Sequence, residues 1–164
     1  MASRLPIIIW VLTLYVSFVF LQSLFFKFTY SPETVHIFGT LDSWAEEAFG
    51  LGGLFAPGGL FSAYVIGSAE LVASTLLLSG QVFKRPYLQG LGALLGVGIM
   101  SGAIFFHLFT PLGIVMVNEE LGVESDGGLL FIMACGVWLS CLALAWLRKE
   151  KLLVLLRRSD LQGH

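Results

Sequence analysis

Hydrophobic positions along this chain gather into four long runs, at about Leu5–Phe28, Gly59–Leu78, Tyr87–Phe109 and Leu129–Leu147. Each supplies the ~20 apolar residues that an α-helix needs to cross ~30 Å of hydrocarbon. The strict alternation of a membrane β-barrel, the other structure that satisfies its backbone inside lipid, is absent. Pro6 falls at the start of the first run, where its missing N–H costs nothing. That run is longer than the core of a secretory signal and no small-residue cleavage site follows it, so it reads as a retained span.

Between the first and second runs the pattern changes. Phe38, Leu41, Trp44, Ala45, Ala48 and Phe49 recur at helical spacing, with Asp42, Ser43, Glu46 and Glu47 on the opposite face. This predicts a short amphipathic helix lying on the outer surface. The glycine-rich stretch 50–59 predicts a flexible re-entry into the second span; it lacks the Lys-Ser/Thr of a phosphate-binding loop. After the fourth run, LRKEKLLVLLRR at 147–158 predicts a basic interfacial helix within a tail at 148–164.

Composition agrees with the pattern. Of the 164 residues 57% are hydrophobic and 12% charged, against about 25% charged in soluble domains. The length suits one domain, 1–164. The charges are segregated by loop. Lys84 and Arg85 follow the second run without an acid, and Arg148, Lys149, Lys151, Arg157 and Arg158 crowd the tail beside Glu150 and Asp160. Loop 29–58 carries Glu33, Asp42, Glu46 and Glu47, and loop 110–128 carries Glu119, Glu120, Glu124 and Asp126, neither with Lys or Arg. Basic loops stay cytoplasmic. The expectation is therefore an all-α integral membrane protein: a four-transmembrane-helix bundle in the cytoplasmic (inner) membrane, with both termini cytoplasmic and two acidic loops outside.

Small residues predict how the spans meet, because close backbone approach holds helices together in lipid. Gly92/Gly96 and Gly98/Gly102 in the third span, Ala63/Gly67 and Ala69/Ala73 in the second, and Gly136/Ser140 in the fourth are spaced for such contacts. They fit packing within the chain and, as the lesser reading, a homo-oligomer. Cys135 and Cys141 lie about 9 Å apart along a helix and about 240° apart around it, so they do not bridge. They read as small packing residues.

Candidate chemistry centres on Glu70, the one acid in Phe61–Leu78. A lone carboxyl group at the centre of a bilayer costs roughly 3 kcal/mol or considerably more, so it calls for a partner, a cavity or a ligand. Counted from Gly59, Glu70 lies about 16 Å below the outer end of its span. Lys27 and His107 lie near the outer ends of the first and third spans. Gln22, Ser23 and Ser68 are near the same depth. Together these outline either a polar pocket opening outward or a buried Glu70–Lys27 ion pair. The three histidines, His36, His107 and His164, are scattered, so no metal site is expected, and no cofactor is assignable.

Three segments carry a family resemblance: FVFLQSLFFKF closing the first span, Gly67-Ser68-Ala69-Glu70-Leu71 in the second, and GAIFFHL in the third. Over roughly residues 10–147 the chain resembles the DoxX-like superfamily of small four-span membrane proteins. The resemblance implies a compact bundle whose polar site uses Lys27, Glu70 and His107. It also implies association with membrane redox complexes, or, as in the architecturally similar NACHO-type proteins, with the assembly of ligand-gated channels. The outer loops, 110–128 especially, are longer than in the shorter members of that superfamily. Quinone-linked disulfide generators need paired reactive cysteines on the outer side, which this chain lacks.

Three functions follow. The first is an accessory subunit of a membrane redox complex, with the outward pocket taking a quinone, Glu70 accepting a proton and His107 or Lys27 polarising a carbonyl oxygen. The second is a non-enzymatic assembly protein. The third is a small proton-coupled transporter. The expected partners are the lipid bilayer and a larger membrane protein or a second copy of the chain, not nucleic acid.

Overall fold

In the computed structural model, residues 4–162 are described, with side chains through Val154. The helices are α1 (Leu5–Thr29), α2 (Pro32–Phe49), α3 (Ala63–Val82), α4 (Pro86–Phe109) and α5 (Leu129–Gln162), with one 3₁₀ turn at Glu119–Leu121. Four of them, α1, α3, α4 and residues 129–154 of α5, are long and apolar enough to cross a membrane. They alternate in direction around a ring in which α3 packs on α1 and α4, and α5 on α4 and α1. One end of the bundle carries α2 and the two acidic loops; the other carries Lys84, Arg85 and Arg148. We call these the acidic and basic ends.

Each helix buries one stripe. On α1 it is Ile9, Thr13, Val16, Ser17, Phe20 and Leu24; on α3 it is Ala63, Gly67, Glu70, Ala73, Ser74, Leu77 and Gly80. Phe20, Leu77, Val137 and Leu144 are fully enclosed at the centre, while the opposite faces stay apolar and exposed, as at Phe18, Phe25, Ile132 and Trp146. Each long helix thus has one protein-covered stripe and one apolar face left open, a pattern compatible with a membrane bundle.

Several expected boundaries move. The second span begins at Ala63, not Gly59, because the Ser62 hydroxyl caps the helix by accepting Val65 N–H at 3.4 Å. It then runs on to Val82, so the connection expected at 79–86 shrinks to 83–85. The tail does not start as a separate interfacial helix: α5 continues unbroken through 148 to Gln162. The side chains of Arg157, Arg158, Asp160 and His164 lie outside the described residues.

The amphipathic helix exists but is longer, starting at Pro32 behind the Ser31 cap. Its apolar face is covered by protein. Phe38, Leu41 and Ala45 form a second core with Phe55, Ala63, Leu112 and Met116, so α2 closes the acidic end of the bundle. Ala48 and Phe49, expected on that face, are exposed. The glycine-rich stretch is anchored, not loose: Asp42 accepts Gly53 N–H at 3.1 Å and Phe55 N–H at 2.8 Å, and Glu46 accepts Gly52 N–H at 2.6 Å. Two carboxylates expected to face only water thus satisfy loop backbone.

The packing glycines divide. A methyl group on Gly92 would lie 2.8 Å from Ala73 O, one on Gly96 2.6 Å from Cys141 Sγ, one on Gly67 2.8 Å from Phe28 and one on Gly136 2.6 Å from Tyr15 Oη. These four make the predicted close approaches. Gly98 and Gly102 do not, since nothing from another helix lies within 4 Å of either. Gly80, packed on the Gln89 backbone, and Gly90, packed on Leu152, make further close approaches outside those pairs. Cys141 is buried against Gly96 and both cysteines are free.

Candidate functional site

The predicted polar residues do not all converge. Glu70 lies seven residues into α3, about 10 Å from its start, less deep than the expected register gave. It is 2% exposed. Lys27 Nζ sits 3.1 Å from both carboxylate oxygens, and Ser23 Oγ lies 2.6 Å from Oε2. Ser23 and Lys27, one turn apart on α1, therefore grip one carboxylate on α3. Ser23 Oγ is also 2.8 Å from Phe20 O. A hydroxyl has one proton, and the shorter, charge-assisted contact to the carboxylate is the stronger use of it. Gly67, one turn before Glu70, lets Leu24 and Phe28 close on α3, and Phe28, Tyr64 and Tyr30 stack along the same seam. Of the two arrangements the sequence allowed, the buried ion pair is the one present.

Gln22, Ser68 and His107 lie elsewhere. Gln22 is exposed, a helical step of about 100° from Ser23. Ser68 is exposed about 200° around α3 from Glu70 and donates to Tyr64 O of its own helix at 2.7 Å. His107 is 8% exposed, with its ring edge-on to Phe131. Its Nδ1 is 2.6 Å from Gly113 O; a carbonyl only accepts, so this nitrogen carries a proton. His107 thus anchors loop 110–128 to α4. Asp126 organises the same loop by accepting the N–H groups of Met116, Gly128 and Leu130 at 2.8–3.1 Å. Burial pushes its pKa up, but those donors and the nearby His107 outweigh it and hold the carboxyl below the usual aspartate value. Asn118 donates to His36 on α2 at 3.1 Å, joining the two acidic loops.

A second polar cluster lies at the basic end; of its members the sequence pattern marks only Arg148, and that for its charge alone. Gln89 on α4 is fully buried. Its amide nitrogen donates to Thr13 Oγ1 on α1 at 2.7 Å and to Gln81 Oε1 on α3 at 3.0 Å. Its oxygen accepts from Arg148 Nε on α5 at 2.7 Å, and Arg148 Nη2 lies 3.5 Å from Gln81 Oε1. One side chain thereby ties all four spanning helices. The available signal is a glutamine on either side of the Lys84 turn, next to two apolar runs.

Two clefts lie apart from Glu70. One, about 500 Å³, lies between α2 and loop 110–128 and includes His36, Trp44, Glu47 and Asn118. The other, about 200 Å³, lies at the basic end beside Lys84 and Arg148. Among the described residues, no three His, Cys, Asp or Glu side chains are grouped to hold a metal.

Fold and site together define an all-helical bundle with four helices long and apolar enough to cross a membrane and with an internal ion pair. Comparison with family models, curated proteins and solved structures returns no match to this chain.

Proposed function

We propose that this chain is a DoxX-like accessory subunit of the cytoplasmic membrane, both termini cytoplasmic, that works by contact with a larger membrane protein and not by catalysis. The observation that carries this reading is the saturation of Glu70. Ser23 and Lys27 occupy its two oxygens, so the costly carboxylate joins α1 to α3 and leaves no open face for a substrate. The orientation rests on the segregation of Lys84, Arg85 and Arg148 from the acidic loops. The surfaces left for partners are the apolar faces of the spans and the acidic end built from α2 and loop 110–128.

The test is gentle detergent purification of the wild-type chain and Glu70→Gln, followed by mass spectrometry of bound proteins and lipids. The expected result is one larger membrane protein retained by both forms. Quinone retained by the wild type and lost from a folded Glu70→Gln variant would overturn the reading in favour of a quinone site. Proton flux in liposomes from this chain alone would overturn it in favour of a transporter.

A further inference from the structure

We propose that the cleft at the basic end binds a phosphate group, carried by a phospholipid headgroup or by a free phosphate. The cleft is lined by Gly80, Gln81, Lys84, Pro86 and Arg148. Its volume of about 200 Å³ is below the ~300 Å³ at which sites for drug-sized molecules begin. It suits one compact anionic group.

The guanidinium is held for such a ligand. Arg148 Nε is fixed on Gln89 Oε1 and Nη2 leans on Gln81 Oε1. Gln89 is in turn fixed by Thr13 from inside the bundle. Both acceptors are neutral amides, so they orient the guanidinium without neutralising it. Among the described residues the one ion pair is Lys27–Glu70; neither Arg148 nor Lys84 has a carboxylate in reach, and Glu150, exposed on α5, pairs with neither. A planar guanidinium with free N–H groups matches two phosphate oxygens at once.

Lys84 supplies a second cation on the same cleft, and the backbone marks it out. It occupies the turn between α3 and α4 with φ 53°, a left-handed conformation that strains an L-residue and that glycine adopts freely. A strained lysine where glycine would fit more easily, beside an unneutralised arginine, is the pattern of a site that keeps its charge for a ligand. Basic pockets between spanning helices take anionic headgroups in this way.

The experiment uses the full chain in phosphatidylcholine nanodiscs with and without phosphatidylglycerol, read by native mass spectrometry, and in detergent with inorganic phosphate, read by thermal unfolding. Preferential retention of phosphatidylglycerol identifies a lipid headgroup; stabilisation by inorganic phosphate identifies a free phosphate; either supports the site. Lys84→Gln, at an exposed position outside the bundle core, is expected to weaken whichever effect is seen about fivefold, the worth of one cation near a membrane surface. Arg148→Gln is expected to weaken it further. The double variant Lys149→Gln/Lys151→Gln, on exposed positions away from the cleft, is expected to leave it unchanged. The proposal is overturned if neither ligand shows an effect, if Lys84→Gln has none, or if the Lys149/Lys151 variant is as damaging as Lys84→Gln.

Discussion

The two halves of this bundle stabilise polar groups in opposite ways. In the acidic half a carboxylate and an ammonium neutralise each other across one helix pair, α1 and α3. In the basic half a guanidinium is held by amides drawn from α3 and α4, with Thr13 of α1 behind them. The first cluster is closed: each charge has its counterpart and Ser23 completes the carboxylate. The second is satisfied in hydrogen bonds around Gln89, but among the described residues no carboxylate pairs with Arg148. Hydrogen bonding and charge balance are separate requirements. Where both are met inside the bundle, the group's work is structural; where only the first is met, charge is left over for something outside the chain.

This contrast predicts unequal responses to deletion. Lys27→Met strands a buried carboxylate and is expected to cost about 3 to 5 kcal/mol, read as a loss of thermal stability in detergent. Glu70→Gln keeps the Ser23 contact and lets the lysine reach toward the end of its span, so its cost is smaller. The double variant Lys27→Met/Glu70→Leu, which removes both charges, is expected to recover most of the loss. Additive losses in that cycle would show that the two side chains act independently and would break the closed-pair account.

Gln89→Leu leaves Thr13, Gln81 and Arg148 each short of a partner. Loss of a charge-assisted hydrogen bond costs roughly 1.5 to 3 kcal/mol, and the stability loss is expected in that range, below that of Lys27→Met. A Gln89→Leu variant less stable than Lys27→Met would reverse the ranking and make the amide cluster the principal fastening of the bundle.

Glycine substitutions sharpen the comparison at smaller scale. Gly92→Ala forces a methyl against Ala73 O and Leu76 and is expected to cost about 1 to 3 kcal/mol by overpacking. Gly98→Ala, farther along α4 with nothing within 4 Å, is expected to be neutral or to gain up to about 1 kcal/mol from helix propensity. Equal losses at both positions would mean that Gly98 is covered by a second molecule.

Much of this was readable in advance because the bilayer constrains sequence strongly. Apolar runs of spanning length produced helices, and Glu70 stood out because nothing else in its run is charged. The pairing with Lys27 was one of two readings, decided by the way α1 and α3 face each other in the bundle. The convergence of His107, Ser68 and Gln22 on Glu70 failed for a plain reason: sharing a depth does not mean sharing a face. Small-xxx-small spacing likewise identified Gly92 and Gly96 but not the open side of Gly98 and Gly102, since spacing within a helix does not say which stripe meets a neighbour.

By itself the sequence determined the number of long apolar helices, the segregation of charge between the loops and the need of Glu70 for a partner, because hydrophobic length and isolated charge are local properties. The tertiary structure decided who that partner is, which residues α2 packs against at the acidic end, and that Gln89 gathers four helices around Arg148. Those outcomes depend on the rotation of each helix about its axis, and only packing against the other helices fixes that angle.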